Sequence, residues 1–411
     1  MKFKGLVKNL AYGGTFVGNI TETEETELIG KTFFVPFAAP NEEIEGQIVA
    51  NKKSFVDAEL VSLNTKSNNR VEPLCQYFYT CGGCNLQHLD IDYQRQLKND
   101  LLKNTFNKIT GAPLAPDIID LSLHLPSYFY RNRIKLHFRD KKIGFFRPKT
   151  RDLIEIDSCV ISSKHLNQCL DRLNKIKEKI PTEIYEIAIE EYKDSEIITF
   201  IVNPNLEKID SNLIEVIQKL LKEFKHFNIK QRNKFLFSSS DEIKNSNTFS
   251  QINNNGNLLI QNLVIEKINN SDVTELYAGN GNFTFKYYDK VKQIDAVELD
   301  HKLVKIALKT ITDKNLKNIK FYSSSSENFV KKNKLKSTLL LDPPRDGAIN
   351  ALNQADFSLT KQIIYISCNM STFSRDIKYL LDMGFKFKEV YTVDMFPQTS
   401  HLEIVGILSK D

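Results

Sequence analysis

Ile363-Ile364-Tyr365-Ile366-Ser367-Cys368-Asn369-Met370-Ser371-Thr372-Phe373-Ser374-Arg375-Asp376 changes character halfway along. Its first residues form an apolar, β-branched run that reads as a buried strand. The run breaks at Ser367-Cys368-Asn369, and a helix start follows, with Ser371 or Thr372 expected as N-cap. In an open α/β sheet, ligands bind in the crevice at the carboxyl ends of the strands. A thiol at that position is a candidate nucleophile. A lone cysteine is more often a core residue, so the surrounding sequence has to decide.

Upstream, apolar strand-like runs alternate with helical ones from residue 241 onward. The runs are VTELYA, a helix through the Tyr287 region, KQIDAVEL, HKLVKIALKTI, IKFYS, a helix near 327–331, STLLLD and KQIIYIS, after an apolar helix at 258–268. Such alternation argues for a parallel, doubly wound sheet. After the first strand come Gly279 and Gly281, in Glu275-Leu276-Tyr277-Ala278-Gly279-Asn280-Gly281-Asn282-Phe283-Thr284. They make a tight turn that brings backbone close to a ligand. Glu298 closes the second strand, 19 positions after Gly279 (298 − 279), near the ~20 expected for a carboxylate that grips ribose hydroxyls. The third glycine of a dinucleotide fingerprint is absent, so the turn suits a nucleoside without a pyrophosphate. S-adenosylmethionine is therefore favoured over NAD. Two strands on, Leu339-Leu340-Leu341-Asp342-Pro343-Pro344-Arg345 delivers Asp342 onto a loop stiffened by two prolines.

A chain of 411 residues is too long for one ordinary core, so two or three domains are expected. The net charge of +5 permits an acidic partner without demanding one. No apolar run approaches a membrane span, and the N-terminus lacks a signal-peptide core. A cytoplasmic location follows as the expectation, and there the six cysteines should be core residues, ligands or catalysts rather than disulfides.

Residues 1–62 read as short strands with turns at Gly13-Gly14 and Gly18-Asn19, hence a small β-barrel. Cys75, Cys81 and Cys84 then converge around Gly82-Gly83. Three thiols at this spacing ask for a metal and a fourth ligand, for which Cys159 is the best candidate. All-thiolate ligation suits zinc or an iron–sulfur cluster. Cys169, on the amphipathic segment 164–180, reads as core. A helix is expected at 90–108. The Tyr130–Arg139 stretch alternates cations with apolar and aromatic side chains, a pattern open to RNA contact or to a solvated strand face. A hairpin is expected at 183–202, a helix at 211–224 and one strand at 227–237.

With ELYAGNGNFT (275–284), LDPPRDG (341–347), SCNMSTFSRD (367–376) and VDMFPQTSHLEIV (393–405) in this order, the chain resembles the uracil-5 RNA methyltransferase family. Within it, the similarity is to the branch with a TRAM barrel and an iron–sulfur site, typified by bacterial 23S ribosomal RNA methyltransferases. The resemblance implies an OB-like TRAM barrel at 1–62 and a central α+β domain with the cysteine set at 63–240, whose helix 90–108 is free to pack on the next domain. It implies a Rossmann-like class I methyltransferase domain at 241–411. It further implies a 4Fe–4S cluster on Cys75, Cys81, Cys84 and Cys159. Cys368 becomes the nucleophile and Glu403 the base, and Gln251, Tyr277, Asn282, Glu298 and Asp342 join the glycine turn in holding S-adenosylmethionine. Position 277 is often Phe in the family, and Ser325 departs from the carboxylate or amide that commonly meets adenine.

The implied reaction is methylation of uridine C5 through a covalent adduct of Cys368 at C6. The implied substrate is RNA, ribosomal first and the T-loop of tRNA second, and the protein is expected to act as a monomer without an obligate protein partner. An adenine amino-methyltransferase would place an aromatic residue where Arg345 stands. A non-catalytic RNA-binding factor would not need Cys368, Asp342 and Glu403 together.

Overall fold

In the computed structural model, residues 1–193, 195–232, 234–240, 243, 251–268 and 272–410 are described. The chain forms two compact units, each discontinuous in sequence. One comprises Met1–Gln94, Pro126–Asn254 and Pro397–Ser400; the other comprises Arg95–Leu125, Asn255–Phe396 and His401–Asp411. The expected boundaries were contiguous. The segment Arg95–Leu125 departs from them because its apolar residues Leu102 and Phe106 belong to the core of the second unit. No helix among the described residues is long and apolar enough to cross a membrane.

The first unit opens with a closed barrel in the order β1-β2-β3-β5-β4. Its strands are β1 (Lys2–Leu10), β2 (Phe16–Thr23), β3 (Thr32–Val35), β4 (Glu43–Asn51) and β5 (Phe55–Leu63). Alternate residues of β1 point inward, and Phe3 meets Phe33 at 5.0 Å between ring centroids. Gly18-Asn19 lies inside β2 rather than at a turn, because both residues pair with β1. Strand β6 (Ile118–Asp120) belongs to the second unit.

The rest of the first unit is a seven-stranded sheet in the order β13-β12-β11-β10-β7-β8-β9. It is built from β7 (Arg133–Arg139), β8 (Lys142–Phe146), β9 (Leu153–Glu155), β10 (Ile184–Tyr192), β11 (Ser195–Val202), β12 (His226–Gln231) and β13 (Lys234–Ser238). Helix Lys164–Ile176 lays Leu166, Cys169, Leu170 and Leu173 into its core at helical spacing, which makes Cys169 the core residue expected. The single strand expected at 227–237 is a hairpin. Arg232 adopts φ +51 and reverses the chain there.

The second unit is an eight-stranded sheet in the order β16-β15-β14-β17-β18-β20-β19-β6. The remaining strands are β14 (Val273–Leu276), β15 (Ile294–Glu298), β16 (Ile319–Ser323), β17 (Thr338–Leu341), β18 (Gln362–Ser367), β19 (Lys386–Val393) and β20 (Glu403–Ser409). Strands β14 to β18 pair in parallel, as the strand–helix alternation predicts. Strand β20 is inserted antiparallel between β18 and β19. The order reverses at β14, whose neighbours are β15 and β17. That switch point opens the ligand crevice at the carboxyl ends of the strands.

Candidate active site

Strand β14 ends at Leu276, and the chain then turns through Tyr277 (φ +62), Gly279 (φ +59) and Gly281 (φ +92). A Cβ added at Gly279 would meet nothing within 4 Å, so this side of the turn is open to a ligand. At Gly281 it would stand 2.3 Å from the Phe285 ring, so only glycine fits. The turn is held from three sides. Glu298 accepts from the Gly279 amide (2.9 Å) with Oε2 and from Asp300 N (2.7 Å) with Oε1. Asn282 is gripped by Asn257 (3.0 Å) and by Gln261 Nε2 (2.9 Å). Beneath it, Glu275 accepts from the hydroxyls of Thr284 and Tyr287, both at 2.7 Å. Burial pushes the Glu275 carboxyl up to about 7. Tyr277 is half-buried, and burial, with Glu327 adding to it, raises its hydroxyl to about 12. Ser325 caps helix Ser326–Lys332 by accepting from Asn328 N, so its side chain is committed to the fold.

Three strands bring the reactive groups to one edge. Asp342 follows β17, Cys368 follows β18, and Glu403 begins β20. Strand β18 lies between the other two, with Leu341 opposite Tyr365 and Ser367 opposite Ile404. The antiparallel insertion of β20 is what carries a residue 35 positions further on (403 − 368) back to the thiol. All three groups are half-buried. Desolvation raises Asp342 to about 7. It raises Glu403 to about 8, with Asp342 adding to the shift and Arg345 opposing it. The Cys368 thiol goes up to about 11, through burial first and then the Glu403 charge, against the pull of Arg345. Glu403 is thus a weak acid poised to take a proton near neutral pH.

The turn after Cys368 is rigid. The N-cap of helix Met370–Asp382 is Asn369, two residues before the expected Ser371 and three before Thr372. Its side chain accepts from Ser371 N (2.9 Å) and Thr372 N (3.4 Å), which leaves Thr372 Oγ1 to donate to the Arg345 carbonyl at 3.1 Å. Buried Asp376 accepts from Ala348 N (2.6 Å) and Tyr365 Oη (2.5 Å). The double-proline loop and the cysteine turn are therefore one fixed assembly.

Gln251 lies in the first unit, where its carbonyl accepts from Asn132 Nδ2 at 2.9 Å. That unit also brings Cys75, Cys81, Cys84 and Cys159 to the wall of one largely apolar cavity, with Phe78, Phe145, Ile156, Val160, Ile161 and Arg131. The loop glycine Gly83 lines it too. Burial pushes Cys81 up to about 11 and Cys84 to about 12, and the other thiols add to both shifts. Four thiols lining one apolar cavity, whose thiolate charges would repel one another, suit a cationic metal core. A separate group, His165, Cys169 and Glu196, comes within 4.8 Å. Its carboxylate is already engaged by His165 (3.1 Å) and Arg172 (2.9 Å), so it reads as an ion network that seats the helix on β11.

Sequence reasoning missed Asn257, Gln261, Glu275 and Asp376. Only Glu275 left a signal, an acidic residue within the strand-like run VTELYA.

The doubly wound sheet thus brings the glycine turn, Glu298, Asp342, Cys368 and Glu403 to the ends of its central strands. Comparison with known proteins supplies the class. Residues 92–411 match the family described as tRNA (Uracil-5-)-methyltransferase. The 23S rRNA (uracil(1939)-C(5))-methyltransferase RlmD of Haemophilus influenzae (strain 86-028NP) is 30% identical, over 92% of this chain and 92% of its own. RlmD of Francisella tularensis subsp. novicida (strain U112) is 30% identical over 93% of this chain and 92% of its own. The crystal structure of Pyrococcus abyssi tRNA (uracil-54, C5)-methyltransferase, in complex with S-adenosyl-L-homocysteine, shares the fold. Its TM-score is 0.74 at 21% identity, over 98% of this chain and 100% of that one. The chain belongs to the uracil-5 RNA methyltransferase family.

Proposed function

We propose that this enzyme methylates C5 of a uridine in 23S ribosomal RNA, with Cys368 as nucleophile and Glu403 as base. The observation that carries the reading is the meeting of Cys368, Glu403 and Asp342 at the ends of three adjacent strands. Relatives at 30% identity, named for 23S ribosomal RNA, supply the substrate. The tRNA reading has behind it the description of the matching family and the P. abyssi enzyme, a likeness of fold.

Bound S-adenosylmethionine supplies an electrophilic methyl group. The Cys368 thiolate adds to C6 of the uracil, and the C5–C6 π electrons become an enolate that makes C5 nucleophilic. C5 takes the methyl group, and S-adenosylhomocysteine leaves. Glu403 then removes the proton still on C5, the double bond re-forms, and the thiolate is expelled. Asp342, on its proline loop, holds the donor side of the crevice. A paired base must be flipped to reach this pocket.

The donor residues fit the cofactor: an open glycine turn, the Glu298 carboxylate bonded to the Gly279 amide of that turn, and Asn282 fixed by two amides. Cys75, Cys81, Cys84 and Cys159 fit a 4Fe–4S cluster, which would cross-link the 75–84 loop to the segment that follows β9.

Cys368→Ala is expected to abolish 5-methyluridine formation, and Glu403→Gln to accumulate a covalent protein–RNA adduct stable to denaturing gels. Mass spectrometry of ribosomal and transfer RNA from a strain lacking the gene should show 5-methyluridine missing from 23S RNA. A fully active Cys368→Ala protein would sink the mechanism, and a loss confined to tRNA would sink the substrate.

A further inference from the structure

The proposed nucleophile sits among groups that oppose its ionisation. Cys368 follows β18 between Glu403, which begins the neighbouring β20, and Asp342, which follows the neighbouring β17, and Arg345 stands three positions beyond Asp342 on the proline loop. Loop geometry fixes where that cation stands. Two prolines precede Arg345 and stiffen its approach. Its carbonyl accepts from Asn369 Nδ2 and from Thr372 Oγ1, both at 3.1 Å. The next carbonyl, that of Asp346, accepts from Arg375 Nη2 at 2.8 Å, and Ala348 N is tied to Asp376. The backbone of residue 345 is thus bonded to the residue that follows Cys368 and to the first turn of its helix. The two arginines of this assembly have different tasks. Arg375 is taken up by Asp376 at 2.7 Å and by the loop carbonyl. Arg345 engages the helix through its carbonyl, which leaves its exposed guanidinium outside those bonds.

We infer that Arg345 is a positioning residue for the nucleophile: its guanidinium is the counter-ion of the Cys368 thiolate, set beside it by the proline loop. The thiol proton leaves to bulk water, and the negative charge that remains is shared with the cation rather than left against two carboxylates. An arginine suits the task because it stays charged at every pH the enzyme meets. The same cation also acts on Glu403, so it favours the ionised form of both reacting groups.

This inference rests on the reading of Cys368 as nucleophile, but its test needs neither RNA nor methyl donor. The free full-length protein is treated with iodoacetamide across a pH series, and alkylation at Cys368 is followed by peptide mass spectrometry. Arg345→Leu should move the inflection up by about one pH unit, roughly a tenfold slower reaction below it. Arg345→Lys should restore most of the rate, and Glu403→Gln should move the inflection down. Buried Cys169, read in the same digest, reports whether each variant is folded: it should stay unreactive. An Arg345→Leu protein that is folded and alkylated with the parental profile overturns the inference, including the case where it only binds RNA more weakly. An active Cys368→Ala enzyme would overturn the mechanism instead, whatever the alkylation profile.

Discussion

Burial decides the acid–base character of single residues here. As the proposed base, Glu403 must be ionised to remove a proton, and desolvation, followed by the Asp342 charge, raises it to about 8. The elimination step should therefore quicken from about pH 7 to about pH 9 and level off above it; adduct decay in a single-turnover assay measures this. The same shift has a cost in stability. A carboxyl whose pKa is raised in the folded state contributes stability that is complete below its unfolded value of 4.5 and is lost as pH rises through about 8. Glu403→Gln removes that liability. Its melting temperature should exceed the parent's at pH 9 by at least about 2 °C, the shift that ~1 kcal/mol gives in a domain of this size. The difference should close toward pH 5. Position on a strand end made Asp342 and Glu298 legible in the sequence. Asn257 and Gln261 left no local mark because their partner Asn282 lies more than twenty residues away, and Asp376 left none because only folding brings Ala348 and Tyr365 to it.

At the scale of elements, the site is a set of strand ends and the turns that follow them. The glycine turn is the least tolerant. At Gly281 an alanine would have to occupy φ +92 and clear the Phe285 ring. Gly281→Ala should cost about 1–3 kcal/mol of stability and weaken S-adenosylhomocysteine binding, read together by thermal melts and calorimetry. Strands β17 and β18 were legible as near-continuous apolar runs, and β14 and β15 through their alternation with helical segments. The N-cap was misread because Asn369, Ser371 and Thr372 are all good cappers, and only the Arg345 carbonyl, which occupies Thr372, decides among them. Strand β6 escaped because its three residues are a strand only through pairing with β19. The 226–238 hairpin escaped because Arg232 takes a left-handed conformation that its residue type does not announce.

At the scale of the molecule, the four-cysteine cavity and the thiol–carboxylate edge belong to different units. The proposed cluster is therefore a matter of folding and RNA affinity. Cys81→Ser should lower iron and sulfide content, the melting temperature and RNA affinity, and leave the rate of adduct formation on bound RNA nearly unchanged. A matched fall in that single-turnover rate would contradict this role. The division of the chain has another consequence, for its covalent integrity. The backbone passes from one unit to the other at 94/95, 125/126, 254/255, 396/397 and 400/401. A single cut at 125/126 or 254/255 leaves two fragments, each still threaded through both units, with its own strands or loops embedded in either core. Such a nicked molecule is laced together without a peptide bond at the break, and the two halves of the chain, made separately, are complementary pieces rather than independent domains.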